Sequence, residues 1–475
     1  MAKTQGCRHC QDLGAKLAAL AAKLSAAEAE IVRLSEKLAG AKKDSSTSSK
    51  PPSSDIVKLN PPGDEGDGSK RKIGGQPGHP MHTREPFPPD QVDTVEIHKL
   101  DACPGCGGKL RLNLDLGRVA QQMDIELPPP LKIEEHRCPE YWCDHCQKPC
   151  WAPLPLPIQR GGLVGPHLIA LIAYMKGFCH ASFSTIRKYL RDVMGVTIAR
   201  GTLAKIVDKV SESLEGTYEE LLELIPLQAK LNIDETGHKD NGERWWTWCF
   251  RADLYTLFQI DARRNVEVLI ETLGSEFDGV IGCDYFGAYR KYMRMIGVEI
   301  QFCLAHLIRD VKFLTTLPDA ATKAYGERLR QALKELFAVI HRRESLSKAE
   351  FECQLRAARW QILHVGMNEA PGSNHAQNIA DRFRKHGEQY FQFVTTPEID
   401  PTNNVAERAI RFVVIDRRIT QGTRGEPGRK WSERIWTVIA TCTQQGQSVF
   451  EFVKKAVDNW LNGEEAPSLL DPVAT

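Results

Sequence analysis

Apolar residues recur at alternating spacings of four and three between Leu13 and Leu38. Leu17, Leu24, Ile31 and Leu38 share one heptad position, and Leu13, Leu20, Ala27 and Leu34 share the other. Over 1–41 this predicts a helix of about four heptads that self-associates as a coiled coil, or else an amphipathic helix packed on its own body. Residues 42–84 lose the pattern and turn to Ser, Pro, Gly and charge, the composition of a disordered linker. Near its end, Lys70, Arg71 and Lys72 run into Ile73-Gly74-Gly75-Gln76-Pro77-Gly78-His79. Such a segment follows a phosphate backbone or enters a minor groove, unless it is simply a solvated basic linker. Residues 85–157 hold short strand-like pieces, prolines and paired cysteines. A helical period returns over 158–228, with an apolar helix over 165–179 and an amphipathic one over 182–194 (Phe183, Ile186, Tyr189, Leu190, Val193). A glycine turn at Gly195 and a third helix from Arg200 complete the region. Helix, glycine turn, helix is the order of a helix-turn-helix unit, which would offer Arg200, Thr202 and Lys205 to DNA; an ordinary helical hairpin reads the same way.

The period then changes to two. Lys230 to Asp234, the aromatic run Arg244 to Arg251 and Tyr255 to Ile260 read as strands. A helix over 265–277 follows, then a fourth strand, Val280 to Asp284. Three strands that pair antiparallel, a helix and a further strand is the order of an RNase H-like fold, in which the first and fourth strands are neighbours. That adjacency is fold analogy, not periodicity. Residues 309–394 are helical and charged and read as an insertion. The core is therefore assigned to 229–308 and 395–465. The fold class expected is multidomain α+β: coiled coil, zinc-ribbon-like module, helix-turn-helix-like region, and an RNase H-like α/β core carrying a helical insertion.

Three acids stand in unusual settings. Asp234 ends one apolar run, Asp284 ends another, and Glu407 lies on a helix in Asn403-Asn404-Val405-Ala406-Glu407-Arg408-Ala409-Ile410-Arg411. A carboxylate at the tip of a buried strand is costly unless it is paired or binds metal. Two such aspartates and a helix glutamate are what a two-metal phosphoryl-transfer site requires, with Mg2+ or Mn2+ held by oxygen ligands. Glu235 competes with Asp234, but strand alternation points it to the other face. Asp400 competes with Glu407 and reads as a turn or cap residue before Pro401. Cys303-Leu304-Ala305-His306 gives a CxxH spacing, so His306 either contacts the reacting phosphate or is a packed core histidine. Arg408 and Arg411 belong to a locally cationic stretch beside Glu407 that suits a DNA backbone, although Arg408 could instead pair with Glu407.

Bulk properties narrow the class. The chain has 475 residues, 42% apolar and 26% charged, as in soluble globular proteins. A formal net charge of +1 means that any DNA-binding surface is local. No leader and no membrane-length apolar run is evident, so a cytoplasmic, nucleoid-associated protein without a membrane partner is expected. Fourteen cysteines in such a setting favour metal over disulfides. Cys103-Pro104-Gly105-Cys106 and Cys143-Asp144-His145-Cys146 supply two CxxC pairs, enough for one structural Zn2+. Cys138, Cys150 and His145 leave the ligand choice open. Cys7 and Cys10 form a lone pair that cannot saturate a zinc ion.

These motifs together resemble a bacterial insertion-sequence transposase of the IS sixty-six family, a DDE transposase. The resemblance rests on the N-terminal heptads, Gly74-Gly75-Gln76-Pro77-Gly78-His79, the paired cysteines, Ile233-Asp234-Glu235-Thr236, Asp284-Tyr285 with Gly287-Ala288-Tyr289, and the Asn403 to Arg411 string, which is the most specific. The segment between Asp234 and Asp284, and the one after Arg411, follow the family less closely. The resemblance implies a catalytic triad of Asp234, Asp284 and Glu407, double-stranded DNA (transposon ends and target) as partner, and cleavage and strand transfer at terminal inverted repeats. A homo-oligomer that brings two DNA ends together is expected, with accessory proteins encoded by the same element as possible partners. The alternative is a catalytically inactive, transposase-derived DNA-binding regulator.

Overall fold

The computed structural model describes residues 8–41, 87–97, 100–102, 104–111, 120–122, 131–396 and 398–470. Lys70, Arg71, Lys72 and Cys103 lie outside them, as does the whole 42–84 segment. The described residues fall into two compact units, the larger drawn from 1–57, 134–191 and 196–475 and the smaller from 58–133 and 192–195. In the smaller unit the side-chain amide of Gln121 pairs with both backbone groups of Phe87, at 2.7 and 3.0 Å.

In the larger unit, helix α1 spans Arg8–Ala41. Its heptad seam is open to solvent, with Leu17 63%, Leu24 62% and Ile31 63% exposed, so α1 does not rest on the body of its own chain. Strands β1 (Glu140–Cys143) and β2 (Lys148–Trp151) form an antiparallel hairpin. Helices α2 (Leu156–Gly161), α3 (Pro166–Gly177), α4 (Phe183–Asp192), α5 (Arg200–Ser213) and α6 (Glu215–Leu224) follow. Their apolar faces, including Ile169, Ile172, Ile186, Leu190, Leu203 and Val210, are buried. A Cβ on Gly177 would lie 2.6 Å from Ile435, so α3 approaches its neighbour at glycine distance.

The five-stranded sheet comes next: β3 (Lys230–Asp240), β4 (Glu243–Arg251), β5 (Thr256–Asp261), β6 (Val280–Cys283) and β7 (Glu299–Phe302), in the order β5-β4-β3-β6-β7. The first three pair antiparallel; β6 and β7 run parallel to β3. The first and fourth segments are thus neighbours, as expected from the element order. Helices α7 (Val266–Leu273) and α8 (Gly287–Ile296) connect β5 to β6 and β6 to β7. One expectation changes: β3 does not end at Asp234. It pairs with β4 as far as Asp240, whereas its pairing with β6 stops at Asn232. The polar residues beyond Asp234 stay in the ladder because β4 satisfies their backbone groups.

After β7 come α9 (Leu304–Leu314), α10 (Ala320–His341), α11 (Lys348–Asn368), α12 (Asn374–His386) and the short α13 (Gln392–Thr395), then α14 (Asn404–Thr420), α15 (Gly425–Gln445) and α16 (Val449–Asn462). The helical stretch leaves and returns at one place. Leu304 N–H donates to Pro401 O at 2.9 Å, and Asn403 N–H to Cys303 Sγ at 3.1 Å.

Helix α15 covers the β5 edge in register. Glu433, Thr437 and Thr441, one turn apart, accept from the backbone N–H groups of Ile260 (2.6 Å), Phe258 (3.0 Å) and Thr256 (3.2 Å). One helical turn rises about 5.4 Å, and two strand residues span about 6.6 Å, close enough for each turn to serve one outward N–H. At the other edge, the Gln301 side chain of β7 bonds Tyr390 O at 3.0 Å and Phe393 N–H at 3.1 Å, which ties β7 to the segment around α13.

Candidate active site

Asp234 lies where β3 loses its β6 neighbour, Asp284 directly follows β6, and Glu407 occupies the first turn of α14. Helix α14 packs across β3, where Arg417 donates to Thr236 Oγ1 at 3.1 Å. The three carboxylates are near enough to act on one another. Asp234 is pushed well above the usual carboxylate range by burial and by the charges of Glu235, Asp284 and Glu407. Asp284 is pushed up to about 7 by burial, with Glu235 and Glu407 adding repulsion, while the Phe286 N–H and Arg264 pull the other way. The Glu235 N–H donates to Asp234 Oδ1 at 3.0 Å, and Phe286 N–H to Asp284 Oδ1 at 2.8 Å. Two half-buried carboxyls destabilised by their own neighbours form a site short of positive charge.

Glu235 is not a competitor for that role. Its buried carboxylate takes both Nε and Nη2 of Arg264, at 2.9 and 2.7 Å, and the Tyr289 hydroxyl at 2.5 Å. It faces α8, while its charge still reaches both aspartates. Asp400 is a turn residue: its Oδ1 accepts from Thr402 N–H and Oγ1, each at 2.7 Å, ahead of the α14 N-cap Asn403.

Glu407 is held from α9 rather than by its chain neighbour. Arg309 Nη2 lies 3.1 and 3.3 Å from its two oxygens, and Arg408, the sequence candidate for this ion pair, is exposed. His306, one turn before Arg309, places Nδ1 3.4 Å from Glu407 Oε1. Burial and Arg309 lower its pKa to about 3, so the ring is neutral.

A second layer was not visible in the sequence. Asn403 turns its side chain away from its own helix. Its Nδ2 donates to Ile233 O at 2.8 Å, its Oδ1 accepts from Asn232 Nδ2 at 2.9 Å, and its carbonyl accepts the Glu407 N–H at 3.2 Å. A Cβ on Gly282 would lie 2.4 Å from Asn232 Nδ2, so glycine makes room for the amide pair. This buried bridge fixes the Glu407 backbone to the strand that carries Asp234. Asn403 belongs to the string that carries Glu407, but only the fold reveals its partner. Arg309 had a signal: it lies three residues after His306 and so shares its helix face.

Beside the site runs a cation–aromatic row. Trp246 lies between the Arg244 and Arg264 guanidiniums, at 4.6 and 4.5 Å, and Arg264 also lies 4.1 Å from the Phe286 ring. Arg411, Arg200 and Lys205 are exposed on α14 and α5. At the β1–β2 turn, hydrogen bonds from Cys146 hold the Cys143 thiol below its ordinary range, as suits a metal-binding thiolate. Cys150 instead donates its Sγ to Tyr141 O at 3.4 Å. Cys106 is exposed in the smaller unit.

The model for the family described as Transposase IS66 family matches residues 161–430, more than half of the chain. The chain belongs to the IS66 family of insertion-sequence transposases. Residues 101–147 match the zinc-finger binding domain of transposase IS66, and residues 3–85 match a family of unknown function. The matched zinc-finger range contains Cys103, Cys106, Cys138, Cys143 and Cys146 and leaves out Cys150. Among curated proteins, the chain is 24% identical to the uncharacterized protein y4hP of Sinorhizobium fredii, over 76% of this chain and 70% of that one. It is 21% identical to the uncharacterized protein y4qI of the same organism, over 84% and 78%.

Proposed function

We propose that this transposase binds the terminal inverted repeats of its element and catalyses divalent-metal-dependent DNA cleavage and strand transfer by a DDE mechanism on an RNase H-like core. One observation carries the reading: Asp234, Asp284 and Glu407, distant in sequence, meet in a single half-buried site, where the charges of Asp284 and Glu407 raise the cost of ionising Asp234 and that of Glu407 raises the cost of ionising Asp284. The order β5-β4-β3-β6-β7 supports the fold assignment. The all-oxygen donor set fits magnesium or manganese. Ions held by these three carboxylates would supply activation of the attacking oxygen and stabilisation of the leaving one.

The chain's own part is positioning and charge. Asn403 and the α14 backbone set Glu407 against β3. Arg309 steers its carboxylate, and neutral His306 stands beside it. Glu235, locked by Arg264 and Tyr289, keeps the site electronegative without offering a free oxygen. Arg408 and Arg411 on α14, Arg200 and Lys205 on α5, and Lys70, Arg71 and Lys72 before the zinc module would take DNA phosphates. Cys103, Cys106, Cys143 and Cys146 would hold the structural zinc. The open leucine seam of α1 fits a homo-oligomer that pairs two DNA ends.

The alternative, a catalytically inactive transposase-derived DNA-binding regulator, has the Arg309–Glu407 ion pair in its favour, because it already engages the third acid. A strand-transfer assay with end-containing DNA and Mg2+ or Mn2+ separates the two. Asp284→Ala should abolish cleavage and joining while leaving DNA binding intact. Wild-type activity in that variant would eliminate the site, and an inactive wild-type protein that still binds the ends would favour the regulator.

A further inference from the structure

Cys303 caps the N-terminus of α9, and His306 stands in its first turn. Spacing of three places both on one helix face, and α14 brings Glu407 against them. One ligand-type atom from each of Cys303, His306 and Glu407 lies within 4.8 Å of the others. His306 Nδ1 and Glu407 Oε1 are 3.4 Å apart. Two ligands bonded at about 2.0–2.1 Å to a tetrahedral ion stand at nearly this separation. His306 is only 9% exposed, yet its Nδ1 has no hydrogen-bond partner. A buried ring nitrogen beside a carboxylate, and not bonded to it, needs an explanation.

We propose that Cys303, His306 and Glu407 form a site for a thiophilic divalent cation of the Zn2+ class, separate from the zinc-finger module. Thiol, imidazole and carboxylate together select a borderline-soft ion over magnesium. On binding, the Cys303 thiol, which burial pushes up to about 11 in the metal-free fold, releases its proton to solvent as coordination of the sulfur requires. A cavity of about 140 Å³ opens beside Cys303 and His306 and is also lined by Asp284 and Asp310. Arg309 opposes loading, because it already holds Glu407 at 3.1 Å. The consequence for activity rests on the function proposed above: an ion here withdraws Glu407 from the two aspartates, so zinc inhibits strand transfer in competition with magnesium.

The test is cobalt titration of the full-length, metal-stripped protein, with thiolate-to-cobalt absorption as the readout. Wild type should bind one equivalent more than Cys303→Ser, whereas Cys143→Ser should keep this site and lose the zinc-finger signal. Arg309→Ala should bind the additional cobalt more tightly, because Glu407 is then freed of its competing cation. If Cys303→Ser fails to fold by thermal melting, His306→Gln replaces it with the same expectation. Equal stoichiometry and equal spectra in wild type and either folded variant would overturn the site. Asp284→Asn keeps the two questions apart: it should retain the additional cobalt equivalent and lose strand transfer. Retained strand transfer would defeat the DDE reading and leave the metal site standing.

Discussion

Asp284 shows how a single residue reports the state of the whole site. Its carboxyl is raised to about 7 in the metal-free fold, against about 3.9 in an unfolded chain. Between those values the folded protein holds a proton that the unfolded chain has lost, so stability falls as pH rises through about 4 to 7. Asp284→Asn should therefore stabilise the metal-free protein at pH 8, on the order of 1–3 kcal/mol, and by little at pH 4. Urea unfolding at the two pH values measures this; equal gains at both would refute the electrostatic origin. Magnesium should narrow the difference by holding wild-type Asp284 ionised. Asn403 makes a different prediction. Asn403→Ala leaves the Asn232 amide unpaired in the core and should cost about 1–3 kcal/mol. If it positions Glu407, kcat for strand transfer falls while DNA affinity is unchanged; parallel loss of both would mean a merely unfolded protein. The acids themselves were legible in the sequence, because each stands out against an apolar run or a helix string. Asn403, Asn232 and Gly282 were not, because a buried amide pair between residues 171 positions apart leaves no local pattern.

At the scale of elements, legibility followed periodicity. The switch from helical to strand period at Lys230 and the apolar run before Asp284 carry their own signals, and the sheet holds those strands side by side. The far half of β3 carried none. Thr236, His238 and Asp240 are buried polar residues, and they stay in a strand because tertiary partners satisfy them. Asp240 takes Thr423 Oγ1 at 2.7 Å and Gly425 N–H at 2.8 Å. The α15 side-chain ladder on β5 was equally hidden. Thr437→Val keeps the shape and removes the acceptor for the buried Phe258 N–H, so it should destabilise by about 1–3 kcal/mol. Thermal denaturation checks it; no change would mean that the N–H finds another acceptor. Thr420→Val, on the helix before α15, gives a comparison outside the ladder.

For the whole molecule, the described residues contain no helix long and apolar enough to cross a membrane. The exposed seam of α1 is the feature that points outward. Leu17→Glu with Leu24→Glu should lower the oligomeric state in sedimentation while leaving the folded core's melting temperature unchanged. If the assembly persists, the seam is not its contact. The same sheet edges argue in that direction. A strand with bare N–H and C=O groups is a template on which a second copy can grow, the route to swapped dimers and fibres. Here the outward N–H groups of β5 are taken by Glu433, Thr437 and Thr441, and at the other edge the Gln301 side chain of β7 holds the 390–393 segment alongside. Copies of this protein held close together are thus steered away from strand exchange, and they can crowd without templating aggregation.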